Sequence, residues 1–137
     1  MLEDVIRQKI VNLLESTKVA DFTTIDDFGY PITKTLHITS QRGLDEIWFV
    51  THRSSDKIDR ITKNPKTNVH VIIKDEQVSL VGESEIREDF IARHINWNDN
   101  LLHQFPLGPS DPDLVTIKFS PHYASYRSET VQTNGRV

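Results

Sequence analysis

Residues 49 to 65, FVTHRSSDKIDRITKNP, gather Thr51, Ser54, Ser55 and Lys57 around the start of one helix. Backbone amides at a helix start have no internal partner and carry partial positive charge, so they bind phosphate readily. Thr51 and Ser55 add hydroxyl donors, and Lys57 adds a full charge on a flexible stem. The chemistry open to such a set is to hold an anion. The same residues also spell an ordinary capped helix, with Ser54 or Ser55 as N-cap, Asp56 complementing the dipole and Lys57 in solvent. Spacing alone leaves both readings open. Lys34, in ITKTLHI, lies on a neighbouring strand and would meet the same anion if it faced inward, but the pattern does not fix its facing.

Other chemistries find little footing. Zero cysteines exclude disulfides, thiolate metal sites and thiol catalysis, and fit a reducing compartment. The six histidines, His37, His52, His70, His94, His103 and His122, show no HExxH spacing, and the carboxylates are scattered, so no metal centre is expected. There is no nucleophile elbow, Walker sequence or dinucleotide glycine fingerprint. With 16 basic and 20 acidic residues the formal charge is −4, which offers nucleic acid or anionic lipid no net attraction. Any anion site must be local. Trp48 and Trp97 read as core or interface residues.

The elements that must position these residues follow from periodicity. Leu2, Val5, Ile6, Ile10, Leu13 and Leu14 recur at spacings of three and four and predict an amphipathic helix over residues 2–16. VADFTTI and YPITKTLHIT flank the turn DDFG as a hairpin, and EIWFVT reads as a buried central strand. A helix over residues 54–63, with Ile58 and Ile61 inward, is expected to stop before Pro65. TNVHVIIK and VSLVGESEIRE give two more strands, with Gly82 marking a bulge or bend. A further helix is expected in DFIARHINWNDNLLHQF, anchored by Phe90, Ile91, Ile95 and Leu102 and weakened at NWNDN. After the loop PLGPSDPD, LVTIKFS and HYASYRSE are expected as two last strands. Residues 1–128 form one domain on this reading, and residues 129–137 a polar, mobile tail. The opening MLEDVIRQKI has neither a basic leader nor an unbroken apolar run, and no stretch of 18 apolar residues occurs, so the chain reads as cytoplasmic. Sequential strands joined by tight turns favour a mainly β, antiparallel sheet closed into a small barrel with flanking helices.

The blocks FTTIDDFGYPITKTL, IWFVTHRSSDKIDRITKNPKTNVHV and FPLGPSDPDLVTIKFSPHYASY together resemble the pyridoxamine 5'-phosphate oxidase-like family of FMN-binding split barrels, the short general stress protein type in particular. The resemblance implies a six-stranded antiparallel split barrel and a homodimer with one FMN in each of two clefts between subunits. It implies Lys34 as a phosphate ligand, Thr35 and Leu36 along the flavin edge, Val50 and Thr51 as backbone and hydroxyl contacts, and Ser55 and Lys57 as the pair that holds the phosphate. The implied activity is hydride exchange between FMN and a small substrate, with no catalytic side chain required. Alternatives are a flavin-holding protein without turnover, or a barrel that binds haem or another planar ligand. Two departures stand out. Asp56 replaces a residue that is often basic, and Arg127 ends SYR where many relatives read EYW. The full oxidase is longer and ends in an arginine-bearing segment without counterpart here, which argues against pyridoxamine phosphate as substrate.

Overall fold

A computed structural model describes residues 1–137. Helix α1 (Asp4–Ser16) leads into β1 (Val19–Ile25), β2 (Pro31–Arg42) and β3 (Glu46–His52), followed by α2 (Asp56–Lys63). Then come β4 (Lys66–Ile73), β5 (Glu76–Arg87), α3 (Phe90–Ile95), β6 (Leu114–Arg127) and β7 (Gln132–Arg136). Single 3-10 turns occur at Asp99–Leu101 and Gly108–Ser110 between α3 and β6. The sheet order is β3-β2-β1-β4-β5-β6-β7, and an additional β3–β6 pairing joins the first strand to the sixth. All pairings are antiparallel, so six strands close a barrel and β7 is an extra strand outside it.

Alternation decides what fills the barrel. Phe22, Ile47, Phe49, Val69, Leu80, Ile117 and Phe119 are fully buried, and Phe22 meets Phe49 edge to face with centroids 5.0 Å apart. Helix α1 lays Ile6, Ile10, Leu13 and Leu14 onto the same core. Where β5 crosses β6 the register shifts between Val81 and Gly82. A Cβ on Gly82 would stand 2.0 Å from the Ser120 carbonyl oxygen, so only glycine admits this close crossing.

Three expectations are corrected. The two last strands are one 14-residue strand: Pro121 pairs with Gly82, and the bulge takes up His122 as its extra residue without ending β6. Residues 132–136, expected as a mobile tail, form β7 against β6, and the Leu2 amide donates to the Arg136 carbonyl at 3.0 Å. The helix after β5 ends at Ile95, broken within NWNDN, and its expected anchors point outward: Phe90, Ile91 and Ile95 are exposed while Ala92 is buried.

Buried Tyr126 donates its hydroxyl to Glu76, and its pKa is pushed up to about 12, by burial first and by the Glu76 carboxylate second. Since the folded value exceeds the unfolded one near 10, this phenol's contribution to stability is whole below pH 10 and disappears as pH rises to about 12. In an alkaline absorbance titration of the three tyrosines, one is expected to ionise near pH 12, and Tyr126→Phe is expected to delete that step.

Candidate functional site

The β2–β3 ladder runs only from Ile38↔Phe49 to Arg42↔Glu46, with a bulge between Ile38 and Ser40. Beyond it the strands part: residues 31–37 of β2 pair with β1 alone, and Val50, Thr51 and His52 pair with β6 alone. A cleft therefore opens between one free strand edge and the β3–α2 turn, and backbone groups on that edge lack strand partners.

Register settles the facing that the sequence left open. Lys34 is the cross-strand partner of Phe22, and Ile32 of Thr24, so Lys34 lies on the face of β2 that carries the core residues. Helix α2 packs toward β1 on this face, where Arg60 Nε donates to the Thr24 hydroxyl at 2.7 Å. Thr51 shares the side of Phe49 and is buried. Ser55 is the N-cap, its hydroxyl oxygen accepting from the Lys57 amide at 3.2 Å, so the capping reading is correct in part. The cap occupies one lone pair of that oxygen, leaving its O–H proton free to donate to an anion.

Electrostatics link the separate pieces. The half-buried Lys57 ammonium has its pKa lowered, by burial first, then by the positive charges of Arg60 and Lys34. The three cations are thus neighbours along α2, with Lys57 in its first turn and Arg60 in its last. Asp56 is exposed and only mildly offsets this repulsion, so its departure from the family pattern does not place a carboxylate in the cleft.

Of the residues named from sequence, Lys34, Thr51, Ser55 and Lys57 flank the cleft. Thr35 lies on the free edge with its hydroxyl turned to the opposite face, donating to Asp21 at 3.1 Å. Leu36 is on the same edge and packs on the main core. The Val50 side chain packs instead against the small cluster of Leu101, Phe105 and Leu114, leaving its backbone nearer the opening. Arg127 has Gln77 and Gln132 as cross-strand partners on β5 and β7. Arg60 was missed. The i,i+3 spacing from Lys57 puts it on the same helical face, a signal available in the sequence, whereas its Thr24 anchor comes from tertiary pairing.

The turn itself is pinned. His52 stacks on Phe105 with centroids 4.5 Å apart. The Arg53 amide donates to the Asp113 carbonyl (2.9 Å), and its Nε donates to the Pro112 carbonyl (2.7 Å). Farther along β2, a cavity of about 480 Å³ is bordered by Lys18, His37, Thr39, Asn98, His103 and Gln104, and no carboxylate is among its nine lining residues.

A closed split barrel with a cationic cleft at the parting of two strands defines a class, and comparison with known proteins agrees with it. The family model described as Pyridoxamine 5'-phosphate oxidase like matches residues 6–134, and the chain belongs to that family. No curated protein matches its sequence. Among solved structures, it is similar to a protein from Clostridium acetobutylicum related to general stress protein 26 of the pyridoxinephosphate oxidase family, at 25% identity and a TM-score of 0.89, covering 99% of this chain and 97% of that one. General stress protein 26 from Bacillus anthracis shares the fold at 22% identity and a TM-score of 0.83, covering 96% and 98%. So does a heme binding protein from Mycobacterium smegmatis, at 11% identity and a TM-score of 0.79, covering 99% of this chain and 60% of the other. No helix is long and apolar enough to cross a membrane.

A lysine whose folded pKa lies below its unfolded value weakens the fold while it stays charged, and that penalty fades as pH rises through the folded value. Lys57→Met is therefore expected to raise the melting temperature of the ligand-free protein at pH 7 by about 1–3 °C. The gain should shrink as pH approaches 10.5, which scanning calorimetry at stepped pH checks.

Proposed function

We propose that this protein binds FMN in the cleft beside β2 and acts as a flavin-dependent oxidoreductase on a small molecule. The observation that carries this reading is the gathering of Lys34 with Lys57 and Arg60 of α2, next to a strand edge without a partner. A phosphate dianion there turns mutual repulsion among cations into attraction. The helix start supplies the Asp56 amide, which has no intrahelical partner, and Thr51 and Ser55 supply hydroxyls. The Lys34–Leu36 edge offers alternating N–H and C=O groups suited to the polar rim of a flavin ring.

When bound, FMN brings the hydride chemistry itself. The chain's own part is to neutralise the phosphate, fix the ring along β2, and leave the cavity near His37 and His103 as room for a substrate. No side chain of this site is assigned a nucleophilic or acid–base role. A homodimer is part of the same proposal, with each cleft completed by the second subunit. In its support, Phe28 is 86% exposed, Phe90 73% and Leu107 71%, large apolar surfaces of the kind that partners cover.

Purified protein titrated with FMN is expected to show a bound-flavin spectrum and a solution mass twice the 15.8 kDa chain mass. Losing one charge-assisted bond of about 1.5–3 kcal/mol, Lys57→Met is expected to weaken FMN roughly tenfold or more and to leave riboflavin, which lacks phosphate, unchanged. Equal affinity of wild type and variant for FMN contradicts the assignment of Lys57. A Soret band in place of flavin peaks selects haem. Reduced flavin reoxidised no faster than free FMN by any tested acceptor selects a holding protein over an enzyme.

A further inference from the structure

The two walls of the cleft are tied to opposite ends of one short helix. At the C-terminal end of α3, Asn96 is almost wholly buried, at 2% exposure. Its Nδ2 donates to the Ala92 carbonyl at 2.8 Å, while its Oδ1 accepts from the hydroxyls of both Thr39 and Ser40, each at 2.7 Å. Those two hydroxyls belong to the β2 bulge, the point at which β2 leaves β3. A bulge inserts a residue that the ladder cannot satisfy and bends its strand. Here the Asn96 amide holds the bend from outside the sheet.

At the N-terminal end, Glu88 receives the Arg53 guanidinium, and Arg93 of α3 donates from Nε to the Glu88 carbonyl at 3.0 Å. Arg93 Nη1 also reaches the Asp111 carbonyl at 3.0 Å. Arg53 in turn grips Pro112 and Asp113, so the β3–α2 turn, the loop before β6 and the start of α3 form one knot. The Glu88 carboxyl pKa is lowered, chiefly by its hydrogen bond from Arg53, which agrees with a pair formed in its ionised state.

We propose that α3 is a strut that sets the separation of the cleft walls, with Asn96 the positioning residue for the β2 edge and Arg53, through Glu88 and Arg93, the positioning residue for the anion-binding turn. The inference rests on the FMN reading above for its ligand, and on geometry alone for the strut. Distinct ends should leave distinct signatures. The β2 edge faces a flavin ring, common to FMN and riboflavin; the turn faces the phosphate, present only in FMN.

The test measures the dissociation constants of FMN and riboflavin together with residue-resolved amide exchange in flavin-free protein. Asn96→Ala is expected to weaken both flavins about tenfold and to speed exchange across residues 32–38 about tenfold, without change in α2. The double variant Thr39→Val/Ser40→Ala removes the same clamp from the strand side and is expected to do likewise, which settles the matter if Asn96→Ala does not fold. Arg53→Gln is expected to weaken FMN about tenfold, to leave riboflavin unchanged and to speed exchange in residues 52–58 only. Folded variants with lower melting temperatures but wild-type flavin affinities and wild-type exchange in both segments overturn the strut and reduce these contacts to general stability. If the wild type binds neither flavin, the functional reading falls, and exchange at residues 32–38 in the double variant still decides the strut: acceleration supports it and no change overturns it.

Discussion

A strand edge released from its neighbour must find other partners for its amides and carbonyls, and this molecule is arranged around one such release. The β2–β3 ladder ends at Ile38 and Phe49, yet the barrel stays closed because β3 pairs with β6 from Ile47 to His52. Closure by one route permits opening at another. The parted strands keep their inner faces on the core through Leu36 of β2 and Phe49 of β3, so the split does not interrupt the packing of the barrel.

Like charges then accumulate where the opening is. Burial first, and then the charges of Arg60 on α2 and Lys34 on β2, lower the pKa of Lys57, a cost that folding alone gives no reason to keep. Sites that bind a ligand often carry such uncompensated groups, since stability is given up where binding is gained. The N-cap role of Ser55 and the anion-binding role proposed for it are compatible for the same reason: a hydroxyl accepts and donates at once.

Much of the architecture was legible in the sequence because its signals were local. β-branched and aromatic density marked β1 to β5, Pro65 limited α2, Gly82 marked the bulge, and NWNDN weakened the helix that ends at Ile95. What failed depended on distant partners. QTNGR has little strand propensity and becomes β7 by adding to the edge of β6. Phe90, Ile91 and Ile95 form the apolar stripe of α3, but six residues make too short a helix for periodicity to decide which side meets the barrel. At the site, residue types were readable and orientations were not. The facing of Lys34 follows from its register with Phe22, and the involvement of Arg60 from a threonine 36 positions earlier.

The central claim is that one anion is held between Lys34, Lys57 and Arg60 at the mouth of the split. The most direct measurement is a crystal structure of the protein grown with FMN. The account requires the phosphate to lie within hydrogen-bonding distance of the two ammonium groups and the guanidinium, with the ring along Lys34–Leu36. A phosphate bound elsewhere, or ordered density for FMN with these three cations turned away from it, contradicts the account.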